Sequence, residues 1–265
     1  MLYIISPAKT LDFKSPFLPL IKTTQPQFLS KTKNILEIYK SLTIEQIKKL
    51  MNISDKLAAI NYHRLQNFTE QLTKPAIFAY DGDVYNNIRA QELDSKNLDY
   101  LTSHLLIISG LYGVLRPLDH IKPYRLEMST PLAINDQNDL VAFWEREVTE
   151  YINKILNTHE NKYLINLASN EYSLVIAKPI IKYPIINIHF KEDKKGKLQT
   201  IGIEAKKARG AMVNFIAKNL VNMPDQLKDF SERGYYFSLP ESSKYDWVFI
   251  KDSINLSNKK LLSVI

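Results

Sequence analysis

Apolar runs at residues 2–5, 76–80, 105–108 and 163–167 are short and do not alternate with polar residues. That pattern predicts strands covered on both faces. Helical spacing lies between them. Residues 28–42 carry Ile35, Leu36, Ile38 and Tyr39. Residues 43–51 open on Thr43 with Gln46 three positions later, a capping-box signature, and residues 54–68 follow at once. Residues 139–156 place Leu140, Phe143, Trp144, Val148, Ile152 and Ile155 on one side of a long helix. Past residue 180 the period changes. Residues 183–190 and 197–205 alternate around Lys194-Lys195-Gly196 and predict a β-hairpin. Residues 211–220 predict a helix, and 235–239 with 247–251 a last pair of strands. The tail, 253–265, is polar. The expected architecture is α/β (mixed α+β): a single domain over 1–252 with a central mixed sheet, several helices and a basic cleft at the strand ends.

The polar residues collect after the apolar runs. Ser6 and Lys9 follow the first, Asp81 and Asp83 the second, Ser109 and Arg116 the third, Ser169 and Glu171 the fourth. If these strands are parallel, the four loops share one edge, where open α/β sheets bind ligands. Ordinary turn chemistry is the alternative. Gly110 and Gly113 predict a tight turn or a close approach to a ligand. Arg116 with Asp119, and Arg125 with Glu127, offer anion-binding arginines or structural ion pairs. Lys206, Lys207 and Arg209 stand just before the helix predicted at 211–220, where an anion would offset both their charge and the helix dipole. A solvated basic loop is the plainer reading. Met51-Asn52-Ile53 joins two predicted helices. In a helix-hairpin-helix element such a turn is apolar–Gly–apolar and its amides meet a DNA phosphate. Asn tolerates the same left-handed backbone, and Asp55 and Lys56 begin the second helix; an ordinary helical hairpin stays open.

Charge sharpens this picture. The 265-residue chain carries a formal net charge of +7, which suits anionic partners such as nucleic acid or nucleotides. Residues 191–209 alone hold seven Lys/Arg against three acids. Cysteine is absent, which excludes disulfides, thiolate metal sites and cysteine nucleophiles. No apolar run reaches ~18 residues, and the N-terminus lacks a signal-peptide pattern. A cytosolic protein with no membrane partner is expected. There is no Gly-x-Ser-x-Gly, and the five histidines show no ligand spacing. Asp81 and Asp83 are a weak Mg²⁺ pair, and iron binding through Asp83, Glu127, Glu171 and a histidine has no spacing to support it. No metal or cofactor is expected.

Several loops together carry a resemblance. They are Ser6-Pro7-Ala8-Lys9-Thr10, Ile53-Ser54-Asp55-Lys56-Leu57-Ala58, Gly82-Asp83-Val84-Tyr85, residues 109–119, Pro123-Tyr124-Arg125-Leu126-Glu127-Met128, Asn166-Leu167-Ala168-Ser169 and Ala205-Lys206-Lys207-Ala208-Arg209-Gly210. In this order, from residue 1 to about 237, the chain resembles the YaaA family of bacterial peroxide stress proteins. The resemblance implies a cytosolic protein that helps cells survive hydrogen peroxide and limits unincorporated iron. It also implies a mixed α/β fold with a positive cleft, a helix-hairpin-helix-like element and DNA binding.

Two readings follow. The first is a DNA-binding stress protein of weak sequence specificity, protecting DNA indirectly, with Lys9, Lys56, Arg116, Arg125, Lys206, Lys207 and Arg209 on phosphates. Tyr80, Tyr85, Tyr112 and Tyr124 would stack on bases of an opened strand. The second is an enzyme acting on an anionic small molecule or nucleotide in the strand-end pocket. Its candidates are Ser6, Lys9, Asp55, Lys56, Ser109, Arg116, Arg125, Glu127, Ser169 and Glu171.

Overall fold

Leu2–Ile5 has no polar side, and the fold covers both its faces: all four residues are fully buried. This strand, β1, lies in the middle of the main sheet of the computed structural model, which describes residues 1–17, 22–194 and 196–251. After β1 come β2 (Thr10–Leu11) and three helices, α1 (Leu29–Lys40), α2 (Ile44–Met51) and α3 (Asp55–Gln66). Short elements follow: β3 (Lys74–Pro75), α4 (Ala76–Ala79), β4 (Tyr80–Asp81), α5 (Asp83–Ile88) and α6 (Ser95–His104). Then come β5 (Leu105–Ser109), β6 (Gly113–Leu115), β7 (His120–Ile121), α7 (Leu140–Thr158), β8 (Leu164–Asn166) and α8 (Asn170–Ser173). The last described elements are β9 (Ile185–Lys194), β10 (Lys197–Gln199), α9 (Gly202–Asn219), β11 (Tyr235–Phe237) and β12 (Asp246–Lys251).

The main sheet runs β11-β12-β9-β8-β1-β5-β6, with β10 paired to β9. Its central pairings, β12–β9, β9–β8, β8–β1 and β1–β5, are parallel; β11, β6 and β10 add antiparallel edges. The mixed α/β expectation holds. Helix α7 lays Phe143, Trp144, Val148 and Ile152 against β1 and β6. Helix α9 packs on β9, α5 and α6.

Two predicted elements change. The run 76–80 is a strand only at its last residue, Tyr80, which opens β4. Ala76–Ala79 forms one buried helical turn, with the Ala76 and Ile77 amides donating to Asp119 and Pro117 carbonyls. A short apolar run reads alike for a buried strand and a buried helical turn. The hairpin at Lys194 is present, but its second arm stops at Gln199 and α9 begins at Gly202. Ala205, Ala208, Ala211 and Met212 are buried at helical spacing, and that apolar stripe governs the segment. Lys195 in that turn and the predicted polar tail, 253–265, lie outside the described residues.

Candidate functional site

Because β1 and β8 run parallel, the loops that follow them leave the sheet side by side. The Ser169 amide donates to Ser6 Oγ at 2.9 Å, and the Ser6 hydroxyl donates to Ser169 Oγ at 3.2 Å. Tyr85 fixes the same loop by donating its hydroxyl to the Ser6 carbonyl at 3.0 Å. A third wall arrives through the small β2–β4 sheet, in which Thr10 pairs with Asp81. Gly82 then turns the chain at φ 152°, ψ 178°, a conformation open essentially to glycine alone. The fourth wall is α9. Gly210 lets it approach α5 closely, since a Cβ there would stand 2.0 Å from the Val84 carbonyl oxygen. From the same helix Arg209, next to Gly210, and Lys206, one turn before it, reach the opening. These walls enclose a cleft of about 260 Å³.

Its lining holds Lys9, Lys206 and Arg209, and the carboxylates of Asp81, Asp83 and Glu171 stand among them. Of the seven basic residues expected there, these three line the cleft, accompanied by as many acids. Glu127, just beside the cleft, lies between Lys9 Nζ at 2.6 Å and Arg125 Nη2 at 2.8 Å. Glu171 accepts from the Ser129 amide at 3.1 Å and the Ser129 hydroxyl at 2.8 Å. Arg209 differs from Arg116 and Arg125 in its charge balance. Burial lowers its pKa; its Nε, like theirs, is shut from solvent without a hydrogen-bond partner, but they are ion-paired to Asp119 and Glu127. Among the described residues Arg209 has no ion-pair partner, and neither have Lys206, Asp81 and Asp83. No group of three His, Cys, Asp or Glu side chains there could hold a metal ion. No helix among these residues is long and apolar enough to cross a membrane.

The family model for peroxide stress protein YaaA matches residues 1–240, a span that contains every wall of this cleft. The chain belongs to the YaaA family. A UPF0246 protein of Rickettsia bellii (strain OSU 85-389) is 56% identical over 255 residues, covering 95% of this chain and 100% of its own length. One from Rickettsia rickettsii (strain Iowa) is 56% identical over 251 residues with the same coverage. One from Rickettsia felis (strain ATCC VR-1525 / URRWXCal2) is 54% identical over 252 residues. A role in the peroxide stress response comes with YaaA membership.

In this YaaA-family chain the candidate residues divide. Ser6, Lys9, Ser169, Glu171, Lys206 and Arg209 line the cleft, and Arg125 and Glu127 border it. Ser109 does not reach it: it is fully buried, shares a hydrogen bond with the Tyr124 hydroxyl at 2.6 Å and accepts from the Tyr112 amide. Arg116 takes the structural alternative, held by the buried Asp119 at 3.2 Å. Lys207 points away from the cleft, bonded to Glu204 at 2.9 Å in a network with Arg233 and Lys251. The segment 206–210 is the second and third turns of α9 rather than a loop at its start, so the helix dipole contributes little there. Asp55 and Lys56 are exposed on α3, away from the cleft, with Asp55 paired to Lys48 at 2.8 Å. Tyr80, Tyr85, Tyr112 and Tyr124 are buried and cannot stack on bases. Tyr80 and Tyr124 share a hydrogen bond at 2.5 Å; burial raises the pKa of both, that of Tyr124 to about 12. Gly110 and Gly113 serve packing, against the Leu126 carbonyl and the Trp144 ring. The hairpin turn keeps its expected geometry: Asn52 is left-handed at φ 50°, ψ 55°, and Thr43 with Gln46 forms the capping box.

Proposed function

We propose that this chain acts in the peroxide stress response by binding DNA through phosphate contacts, without reading bases. The observation that carries this reading is the α2–α3 hairpin. Asn52 closes it in the left-handed conformation, and Lys49 and Lys56 stand exposed on either side. The Leu57 amide is capped by Ser54 Oγ at 3.4 Å, which leaves the Asp55 and Lys56 amides of the first turn of α3, and with these cations they suit a phosphate. Without cysteine the chain cannot remove peroxide as a thiol, so protection falls on the target; a smaller pool of unincorporated iron belongs to the same proposal as an indirect effect.

Fluorescence anisotropy with duplex and bubble DNA at two salt concentrations tests the reading. Affinity should fall by roughly 0.9 log units per log of salt for each phosphate neutralised. Lys49→Ala/Lys56→Ala should lower the affinity and reduce that slope. Binding that is absent, or indifferent to salt, would refute it. A second reading, an enzyme or receptor for an anionic small molecule, is favoured by one observation: Ser6, Lys9, Ser169, Glu171, Lys206 and Arg209 converge on a single cleft.

A further inference from the structure

The strand-end cleft contains opposite charges that do not meet. Lys206 and Arg209 line it from α9, and Asp81 and Asp83 from the β4–α5 corner; among the described residues no ion pair joins the two sets. Lys9 is already occupied by Glu127. A buried cation without a counter-ion is costly. The Arg209 guanidinium lines the cleft half-buried and, unlike Arg116 and Arg125, has no carboxylate on it among the described residues, so an anion entering the cleft would supply the missing counter-charge. The guanidinium fork suits a carboxylate or a phosphate.

The acids narrow the ligand further. A polyanion entering here would meet Asp81 and Asp83, and the cleft's own carboxylates would repel it. A divalent cation would meet Lys206 and Arg209. A molecule bearing one anionic group and one ammonium group satisfies both sets at once. Size agrees: about 260 Å³ is on the order of nine water volumes at ~30 Å³ each, whereas a DNA major groove alone is ~12 Å wide. The walls are also built to stay apart. The Gly210 approach fixes α9 against α5, and the Thr10–Asp81 pairing fixes the acidic corner.

We propose that this cleft binds a small zwitterion, with its anionic group on Lys206 and Arg209 and its ammonium on Asp81 and Asp83. An α-amino acid and an aminoalkyl phosphate share this chemistry. The proposal deepens the second reading above and is independent of DNA binding by the hairpin.

Isothermal titration of the full chain tests it. The probes are the twenty α-amino acids and phosphoethanolamine, with acetate, inorganic phosphate and methylamine as single-charge controls. At least one zwitterion should bind at one per chain, with the controls at least tenfold weaker. An amino acid or phosphoethanolamine as the tighter partner identifies the anionic group. Arg209→Gln and Asp83→Asn should each weaken that binding at least tenfold. Lys206→Met, on the exposed surface of α9, gives the same test should Arg209→Gln fail to fold. Duplex DNA should not compete. The proposal falls if no zwitterion binds, if inorganic phosphate binds as tightly and is indifferent to Asp83→Asn, or if duplex DNA displaces the ligand. Loss of DNA binding in the hairpin variant would leave these results unchanged, so the two readings fail separately.

Discussion

The backbone amide of Ser169 is bonded to the side chain of Ser6, 163 positions earlier in the chain. This bond ties the loop after β8 to the loop after β1 and sets the width of the cleft floor. Ser6→Ala removes the acceptor and leaves the amide half-buried and unpaired. A loss of about 1–2 kcal/mol is expected, read as a shifted urea midpoint with an unchanged slope.

Gly210→Ala should be more damaging than its size suggests. The added carbon would meet a backbone oxygen of Val84, which cannot rotate aside. Overpacking of this kind costs about 1–3 kcal/mol. It also pushes α9 from α5 and so moves Arg209. Thermal unfolding should show a lower Tm, and zwitterion binding should weaken in the folded fraction.

Asn52 is held in the left-handed region, where most side chains cost roughly 1–2 kcal/mol. Asn52→Gly should leave stability nearly unchanged, whereas Asn52→Ala should lose about 1 kcal/mol. Comparing the two by chemical denaturation separates backbone strain from loss of the amide side chain.

Acid should unfold the chain in two stages. Burial first, then the charges of the Met1 amino group and His104, hold His159 down at about 4 from an ordinary 6.5. The unfolded chain therefore binds the extra proton first, and stability falls as pH drops from about 6.5 towards 4. Glu204, held at about 2 chiefly by Lys207 and then by Lys251 and Arg233, favours the folded state above its ordinary value of 4.5. That contribution is lost as pH falls through its lowered value. His159→Gln should flatten the upper stage and Glu204→Gln the lower one, in unfolding curves measured between pH 7 and 2.

Arg116→Gln should leave DNA affinity within twofold of the parent, because its guanidinium is spent on Asp119. Asp119 is fully buried and also accepts from Thr24 Oγ1 at 2.6 Å and the Arg116 amide at 2.8 Å. Asp119→Ala should therefore cost about 3 kcal/mol or more, measured by denaturation.

The strands at Leu2–Ile5, Leu105–Ser109 and Leu164–Asn166 were legible because burial on both faces leaves no polar position to confuse the pattern. The start of α9 was not. Ile201, Ile203 and Ala205 alternate as a strand would, yet Ile203 is 60% exposed, and the governing period is that of Ala205, Ala208 and Met212. This shift of boundary moved Lys207 from the candidate site into an ion network on another side of the helix. Arg209 was a candidate by charge, but its lack of a partner is a fact of packing that no local spacing encodes. The route by which Asp81 reaches the cleft, a pairing of two-residue strands with Thr10, leaves too short a trace to read.

The walls of the cleft come from residues 6–10, 81–84, 167–172 and 206–209. A growing chain, made at roughly 5–20 residues per second, holds no such cavity until residues 206–209 have left the ribosome. Fragments cut short by damaged message or proteolysis would carry the α2–α3 hairpin without the cleft. Ligand binding at the cleft would thus report that a chain reaches at least the third turn of α9 as well as being folded.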